Sequence, residues 1–233
     1  MIGIFDIDTH VYELASIDVD KPPIDIFDNR IKKICNHLGI INFILVMQGS
    51  RNFRNSFDPD YKKHRPVQKP KYYRELREHI KLNHHHIIAN NLETDDICSI
   101  MATYCESISC PYVLIHIDKD LNQIPGLHYN YKKVDLYTIS NDEALYNLSY
   151  QIIKGDTTDS KITGLRGYGD KKTTTLLKDS DNYLVTAFNE YINYYGLEGV
   201  HKFYITYNIV KLLTVYPKLI KKIQKLVDQL CST

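Results

Sequence analysis

Short apolar runs in the first half of the chain are each followed by carboxylates. Ile2–Asp6 closes on an acid with Asp8 two residues on, and Tyr112–Ile117 runs directly into Asp118 and Asp120. Between them, Ile40–Met47 reads as a buried strand and His86–Ala89 as a shorter one. Glu93, Asp95 and Asp96 then open a helical stretch reaching Tyr104, and acids suit the positive end of a helix dipole. Ile24, Phe27, Ile31, Ile34 and Leu38 lie at helical spacing ahead of Gly39, a C-terminal cap residue. Lys71–Leu82 reads as a polar helix with a narrow apolar stripe. Strands alternating with helices predict an α/β fold with a parallel sheet through at least residue 125, followed by a hairpin at Tyr129–Ile139 turning near Lys132 and Lys133. From Asn141 the pattern is helical. In a parallel sheet the carboxyl ends of the strands share one edge, where ligands bind. Asp6, Asp8, Glu93, Asp95, Asp96, Asp118 and Asp120 are therefore expected to meet in one crevice.

A cluster built only from carboxylates is hard and oxygen-rich, which suits Mg²⁺ or Mn²⁺ and not zinc. The charge distribution agrees. The 233 residues carry a formal net charge of only +1, yet residues 50–81 hold ten Lys/Arg against four acids, residues 93–120 six acids against Lys119 alone, and residues 201–225 six lysines and no acid. An acidic centre in basic surroundings fits a metal site acting on a polyanion. With 43% hydrophobic residues the chain buries a full core, which excludes disorder as its main character. Five cysteines without a Cys-x-x-Cys pair exclude a complete disulfide framework and argue against a zinc ribbon; Cys98 and Cys105 read as buried core thiols. The apolar runs are too short to cross a bilayer and the amino terminus does not read as a signal peptide, so a soluble cytoplasmic protein without a membrane partner is expected. The adjacent His84, His85 and His86 read as a loop or strand entrance without ligand function.

Five stretches in order carry a family resemblance. Phe5-Asp6-Ile7-Asp8, Leu92-Glu93-Thr94-Asp95-Asp96 and Ile117-Asp118-Lys119-Asp120-Leu121 resemble the acidic motifs of the 5′ nuclease superfamily: flap endonucleases, the 5′→3′ exonuclease domain of bacterial DNA polymerase I, and bacteriophage 5′→3′ exonucleases. Asn52-Phe53-Arg54 with Asp58-Pro59-Asp60-Tyr61-Lys62-Lys63-His64-Arg65-Pro66 resembles the entrance of the family's arch. Lys154-Gly155-Asp156-Thr157-Thr158-Asp159, running into Gly164-Leu165-Arg166-Gly167-Tyr168-Gly169-Asp170-Lys171, resembles its last acidic motif and its helix–hairpin–helix-like DNA-binding element. The wording is most similar to the phage branch.

The resemblance implies a PIN-like, resolvase-like nuclease core over residues 1–140 with an arch entrance at about 48–85. A helical part follows over 141–233, with the helix–hairpin–helix-like element at about 155–178. It makes Asp6, Asp8, Glu93, Asp95, Asp96, Asp118, Asp120, Asp156 and Asp159 metal ligands or supporting carboxylates for two Mg²⁺ or Mn²⁺ ions. Lys62 and Arg65 become the basic pair at the scissile phosphate. Arg51, Arg54, Tyr61, Lys63, Gly164, Gly167, Gly169, Lys171 and Lys172 become DNA contacts, with K⁺ at the glycine-rich turn. The implied activity is a phage-encoded 5′→3′ exonuclease or flap endonuclease, monomeric, acting at 5′ ends of duplex DNA or an RNA–DNA hybrid in the host cytoplasm. One departure stands out. Where the family has an acid after the second strand, this chain reads Val46-Met47-Gln48-Gly49-Ser50-Arg51; Asp8 is the residue available to supply that charge. The alternatives are a catalytically weakened DNA-binding member of the same fold and a PIN-like RNase.

Overall fold

The computed structural model describes residues 1–63, 68–155 and 164–231. The first apolar run is β1 (Ile2–Asp6), every residue of it buried. It is followed by α1 (Asp8–Ala15) and α2 (Ile24–Leu38), which stops at Gly39 with φ 65°, the left-handed conformation glycine adopts without penalty. β2 (Asn42–Asn52), a 3₁₀ turn at Phe53–Ser56, α3 (Tyr73–Asn83), β3 (His86–Asn91), α4 (Thr94–Ser107) and β4 (Tyr112–His116) complete the alternation. A second 3₁₀ turn (Lys119–Gln123) leads into the hairpin of β5 (Gly126–Asn130) and β6 (Asp135–Ile139). Then come α5 (Asn141–Lys154), α6 (Asp170–Lys178), α7 (Tyr183–Tyr195), α8 (Glu198–Val210) and α9 (Pro217–Cys231). β2 runs five residues past the apolar segment that marks it, because Gln48–Asn52 continues pairing with β3 through a register shift.

The sheet order is β3-β2-β1-β4-β5-β6, parallel except for β6. Alternation along each strand splits the core. Phe5, Leu45, Met47, Val113 and Ile115 face α1, α2 and α3. Ile2, Ile4, Ile44, Val46, Ile87 and Leu114 face α4. Both faces are covered, which is why these strands read as continuous apolar runs. Connections before α4 lie on one face and α4 lies on the other, so the winding reverses between β1 and β4. That reversal opens a crevice beyond their carboxyl ends, the position where doubly wound sheets bind ligands.

A third cluster (Leu148, Ile152, Ile153, Leu165, Leu177, Ala187, Tyr191) unites α5, α6 and α7. The last helix does not stay with it. Ile223, Val227 and Leu230 of α9 are buried in the cluster of β1, β2 and α4, and Cys231 is disulfide-bonded to Cys110 just before β4. Cys35, Cys98 and Cys105 are buried thiols, so one bridge and three core cysteines account for the odd count. Among the described residues, no helix is long and apolar enough to cross a membrane.

Gly164 adopts φ +50°, and a Cβ there would meet the backbone of Ile153, Lys154 and Gly155 at the end of α5. Its role is close packing of this turn on α5, where the Leu165 amide donates to the Ile153 carbonyl at 2.8 Å. Gly169, by contrast, faces open space and has an ordinary φ of −78°. Gly164→Ala should lower stability by more than about 1 kcal/mol, and Gly169→Ala by less than about 0.5 kcal/mol, in urea unfolding midpoints.

Candidate active site

The crevice between β1 and β4 is a cleft of about 940 Å³ lined by Asp6, Asp8, Glu93, Thr94, Asp95 and Asp118, with Gln48, Arg51 and Lys62 among its walls. Asp6 is the last residue of β1, Asp8 the first of α1, and Asp118 follows β4. Glu93 and Asp95 sit at the amino end of α4. Acids up to 112 positions apart (6 to 118) thus share one cleft. Their crowding shows in their proton affinities. Burial, with Asp8 and Asp118 adding repulsion, pushes the Asp6 carboxyl up to about 8. Burial followed by Asp118, Asp6 and Glu93 likewise holds Asp95 well above the carboxylate range. Glu93 differs: burial would raise it, but Lys62, Arg54 and the Tyr61 hydroxyl outweigh burial and hold it below its ordinary value.

The backbone amide of Gln48 donates to both carboxylate oxygens of Asp8, at 3.1 and 3.0 Å. Gln48 lies inside the acid-free window Val46–Arg51, where β2 leaves the core, so this fold brings a carboxylate from α1 to the carboxyl half of the second strand. Arg77 of α3 stands 3.8 Å from the same side chain.

Two residues assigned from sequence to metal and DNA belong to the interior. Arg54 is 1% exposed and Asp96 fully buried. The guanidinium donates to both Asp96 oxygens at 2.6 and 2.9 Å, and to the carbonyls of Ile209 (2.6 Å) and Lys211 (3.1 Å). Asp96 also accepts from the amides of Glu93 (3.0 Å) and Leu213 (3.1 Å). With four N–H groups hydrogen-bonded, the Glu93 carboxylate 3.4 Å from Nη1 and the side chain out of reach of solvent, Arg54 is not a DNA contact. With four donors on its oxygens and no place in the cleft wall, Asp96 is an anchor for α4 and not a metal ligand. The pair instead ties the end of β2, the amino end of α4 and the segment between α8 and α9.

Lys62, with φ 54°, is ion-paired to Glu93 in the cleft wall, and the buried Tyr61 hydroxyl donates to the other Glu93 oxygen at 3.0 Å. Tyr61 therefore packs beneath the entrance as a support. Lys63 is exposed and pairs with Asp60 at 3.0 Å, outside the cleft. Arg51 is exposed on the rim. Asp120 accepts from Gln151 of α5 at 2.7 Å and is not among the residues lining the cleft. Arg65, Asp156 and Asp159 lie outside the described residues. Beyond the turn, Gly167 has φ +85° with open space around it, and Lys171 and Lys172 are exposed on the first turn of α6. Asp170 there is held below its usual range by bonds from Lys154 and Tyr150, which offset its charge at the helix amino end.

Sequence reasoning missed one wall. Tyr12 of α1 and Tyr73 of α3 stand with ring centroids 4.9 Å apart, and the Lys69 ammonium lies 4.9 Å from each ring. Neither tyrosine falls in a motif, and 19 tyrosines hide two.

No family model matches the chain, and no curated protein sequence matches it. Solved structures do. Bacteriophage T5 5′-exonuclease with divalent zinc ions bound superposes with a TM-score of 0.79 at 16% identity, covering 99% of each chain. The bacteriophage T5 D15 flap endonuclease in a pseudo-enzyme–product complex with DNA and metal ions gives 0.78 at 14% identity, covering 100% of this chain and 99% of that one. The catalytic core of Rad2 with DNA substrate gives 0.55 at 16% identity, covering 98% and 72%. The chain has the 5′-nuclease fold. At these identities the likeness fixes architecture, and what the cleft does rests on its own residues.

Two expectations follow. Arg54→Met leaves Asp96 buried and unpaired and should cost about 3–5 kcal/mol, whereas the double variant Arg54→Met, Asp96→Leu should recover much of it, in denaturant unfolding. The second concerns pH. The folded protein holds a proton on Asp6 up to about 8, while an ordinary aspartate releases it near 3.8, so metal-free stability from this group falls as pH rises through that window. A cation replaces the proton, so Mn²⁺ should raise Tm more at pH 8 than at pH 6, read by thermal scans with and without the ion.

Proposed function

We propose that the chain is a divalent-metal-dependent 5′ nuclease that hydrolyses phosphodiesters near the 5′ ends of duplex or flapped DNA. The observation that carries this reading is the convergence of Asp6, Asp8, Asp95 and Asp118 at the β1/β4 switch point, with Lys62 beside them. The crowding that pushes Asp6 and Asp95 toward their protonated forms is relieved by a divalent cation, and all-oxygen ligation matches Mg²⁺ or Mn²⁺. Asp6, Asp95 and Asp118 would hold these ions, and Asp8, docked on Gln48, would supply the charge that the second strand lacks. When bound, the metal pair activates water and stabilises the leaving oxygen. Lys62 with Arg65 adds fixed positive charge beside the phosphate, the logic of electrostatic preorganisation. Glu93 holds Lys62 in the cleft wall and Tyr61 holds Glu93. Tyr12 and Tyr73 offer aromatic faces to an unpaired base.

Duplex is held, in this reading, by backbone contacts at Gly167–Gly169 and the amino end of α6, with Lys171 and Lys172 and a K⁺ ion adding charge. An RNA–DNA hybrid serves as a second substrate, the protein acts as a monomer, and a phage origin and host-cytoplasm location accompany the architecture shared with the T5 enzyme. Residues 1–140 form the chemical unit and 141–233 the duplex-holding unit, with α9 returning to the former.

Purified protein incubated with a 5′-labelled flap and a blunt duplex should cleave with Mg²⁺ or Mn²⁺ and not with EDTA, and Asp118→Ala should reduce the rate by at least a hundredfold. Absence of cleavage on both substrates with either ion would overturn the reading. DNA affinity should fall steeply between 50 and 200 mM salt, and the Lys171→Ala, Lys172→Ala variant should flatten that slope by about 2.

A further inference from the structure

Asp28, His79 and His84 come together on the far side of the sheet from the carboxylate cleft. Asp28 lies on α2, His79 near the end of α3, and His84 directly after α3, two residues before the amino end of β3. The cleft lies beyond the carboxyl ends of the strands, so the two clusters occupy opposite edges. His79 Nε2 is 2.9 and 3.0 Å from the two Asp28 oxygens, and His84 Nε2 is 3.0 Å from one of them. One donor atom from each residue falls within 4.8 Å of the others. The imidazoles cross at 71° with centroids 5.4 Å apart. Phe27 stands edge-on to both, and Phe43 stands tilted 6.0 Å from His84, so the rings have apolar backing that limits their rotation. Side-chain exposure is 14% and 15% for the histidines against 42% for Asp28, which leaves the carboxylate side open to water.

We propose that Asp28, His79 and His84 form a second metal site, separate from the nuclease centre, for a borderline divalent transition cation of which Zn²⁺ is the representative. Two imidazole nitrogens and one carboxylate oxygen, with water completing a tetrahedron, are a zinc-type donor set; Mg²⁺ prefers oxygen alone. The three ligands come from α2, α3 and the corner before β3, so one ion pins α2 to the helix that leads away from the cleft entrance. This proposal does not depend on the nuclease reading, since it shares no residue with the cleft.

The local bonds state what loading requires. Without metal, both histidines present Nε2–H to Asp28, and the Asn83 amide nitrogen lies 3.1 Å from His79 Nδ1 and 2.9 Å from the His79 carbonyl. On loading, each ring gives up its Nε2 proton to water and takes one at Nδ1, and at His79 the Asn83 amide turns so that its oxygen accepts the new N–H. Asn83→Asp would place a carboxylate there, the orienting partner that metal-bound histidines use.

The test is calorimetric titration of the full chain with Zn²⁺ in excess Mg²⁺, with the His79→Ala, His84→Ala variant as the reference for any Zn²⁺ taken up by the carboxylate cleft, followed by ¹⁵N spectra of the histidine rings. One equivalent of Zn²⁺ should bind, move the His79 and His84 ring resonances and raise Tm. That equivalent should be missing in the His79→Ala, His84→Ala variant and bind about tenfold more tightly in Asn83→Asp. No saturable binding, binding undiminished in the double variant, or wild-type His79 and His84 resonances unmoved by Zn²⁺ would each overturn the proposal. The resonance measurement on the wild type keeps the test decisive if the double variant does not fold.

Discussion

The buried Arg54–Asp96 pair holds together three parts of the chain that sequence separates widely. A guanidinium and a carboxylate taken out of water gain nothing unless every donor and acceptor is met. Here they are met by backbone from the end of α8, the segment after it and the amino end of α4. The consequence is positional. Glu93 is three residues from Asp96, and Asp95 is adjacent to it, so the bond that anchors α4 also fixes two cleft carboxylates. Glu93 in turn orients Lys62 and Tyr61. The cleft's crowded charge is tolerable because its supports are themselves paired in the interior.

Much of this arrangement was legible in the sequence. Runs buried on both faces announced a parallel sheet, and acids directly after those runs announced a shared edge, since strand direction leaves them nowhere else to go. Asp6, Asp8, Asp95 and Asp118 needed no more than that. The Arg54–Asp96 pair is hidden for a physical reason: a charged residue in a motif looks the same whether its partner is solvent, DNA or another charge 42 positions away, so the sequence leaves Asp96 open between ligand and supporting carboxylate and offers Arg54 to DNA. The extension of β2 to Asn52 was also hidden, because Gln48–Asn52 is polar and its strand character comes from pairing with β3 and not from burial. Asp8's bond to Gln48 could be suspected from the absent acid, but only the fold shows the two side by side. His84 lies at the entrance of β3, as its place in the sequence implies, but its neighbours in space, Asp28 and His79, come from α2 and α3 and leave no mark beside it in the sequence.

The two edges of the sheet have opposite chemistry. The edge beyond the carboxyl ends gathers oxygen donors and repels its own protonation equilibrium upward. The edge before the amino ends gathers imidazoles against phenylalanine. Sheet polarity alone separates them, since each strand delivers one terminus to each side.

The return of α9 to the first core inverts the relation between making the chain and completing its interior. Ile223, Val227 and Leu230 seal the face of the sheet opposite α1–α3. A nascent chain that has emerged only through Asp120 therefore carries every strand-end acid but an unsealed layer of Ile4, Ile44 and Val46 around α4. The first core closes only when α9 arrives, so a ribosome that stalls anywhere in the helical half leaves the apolar layer around α4 uncovered.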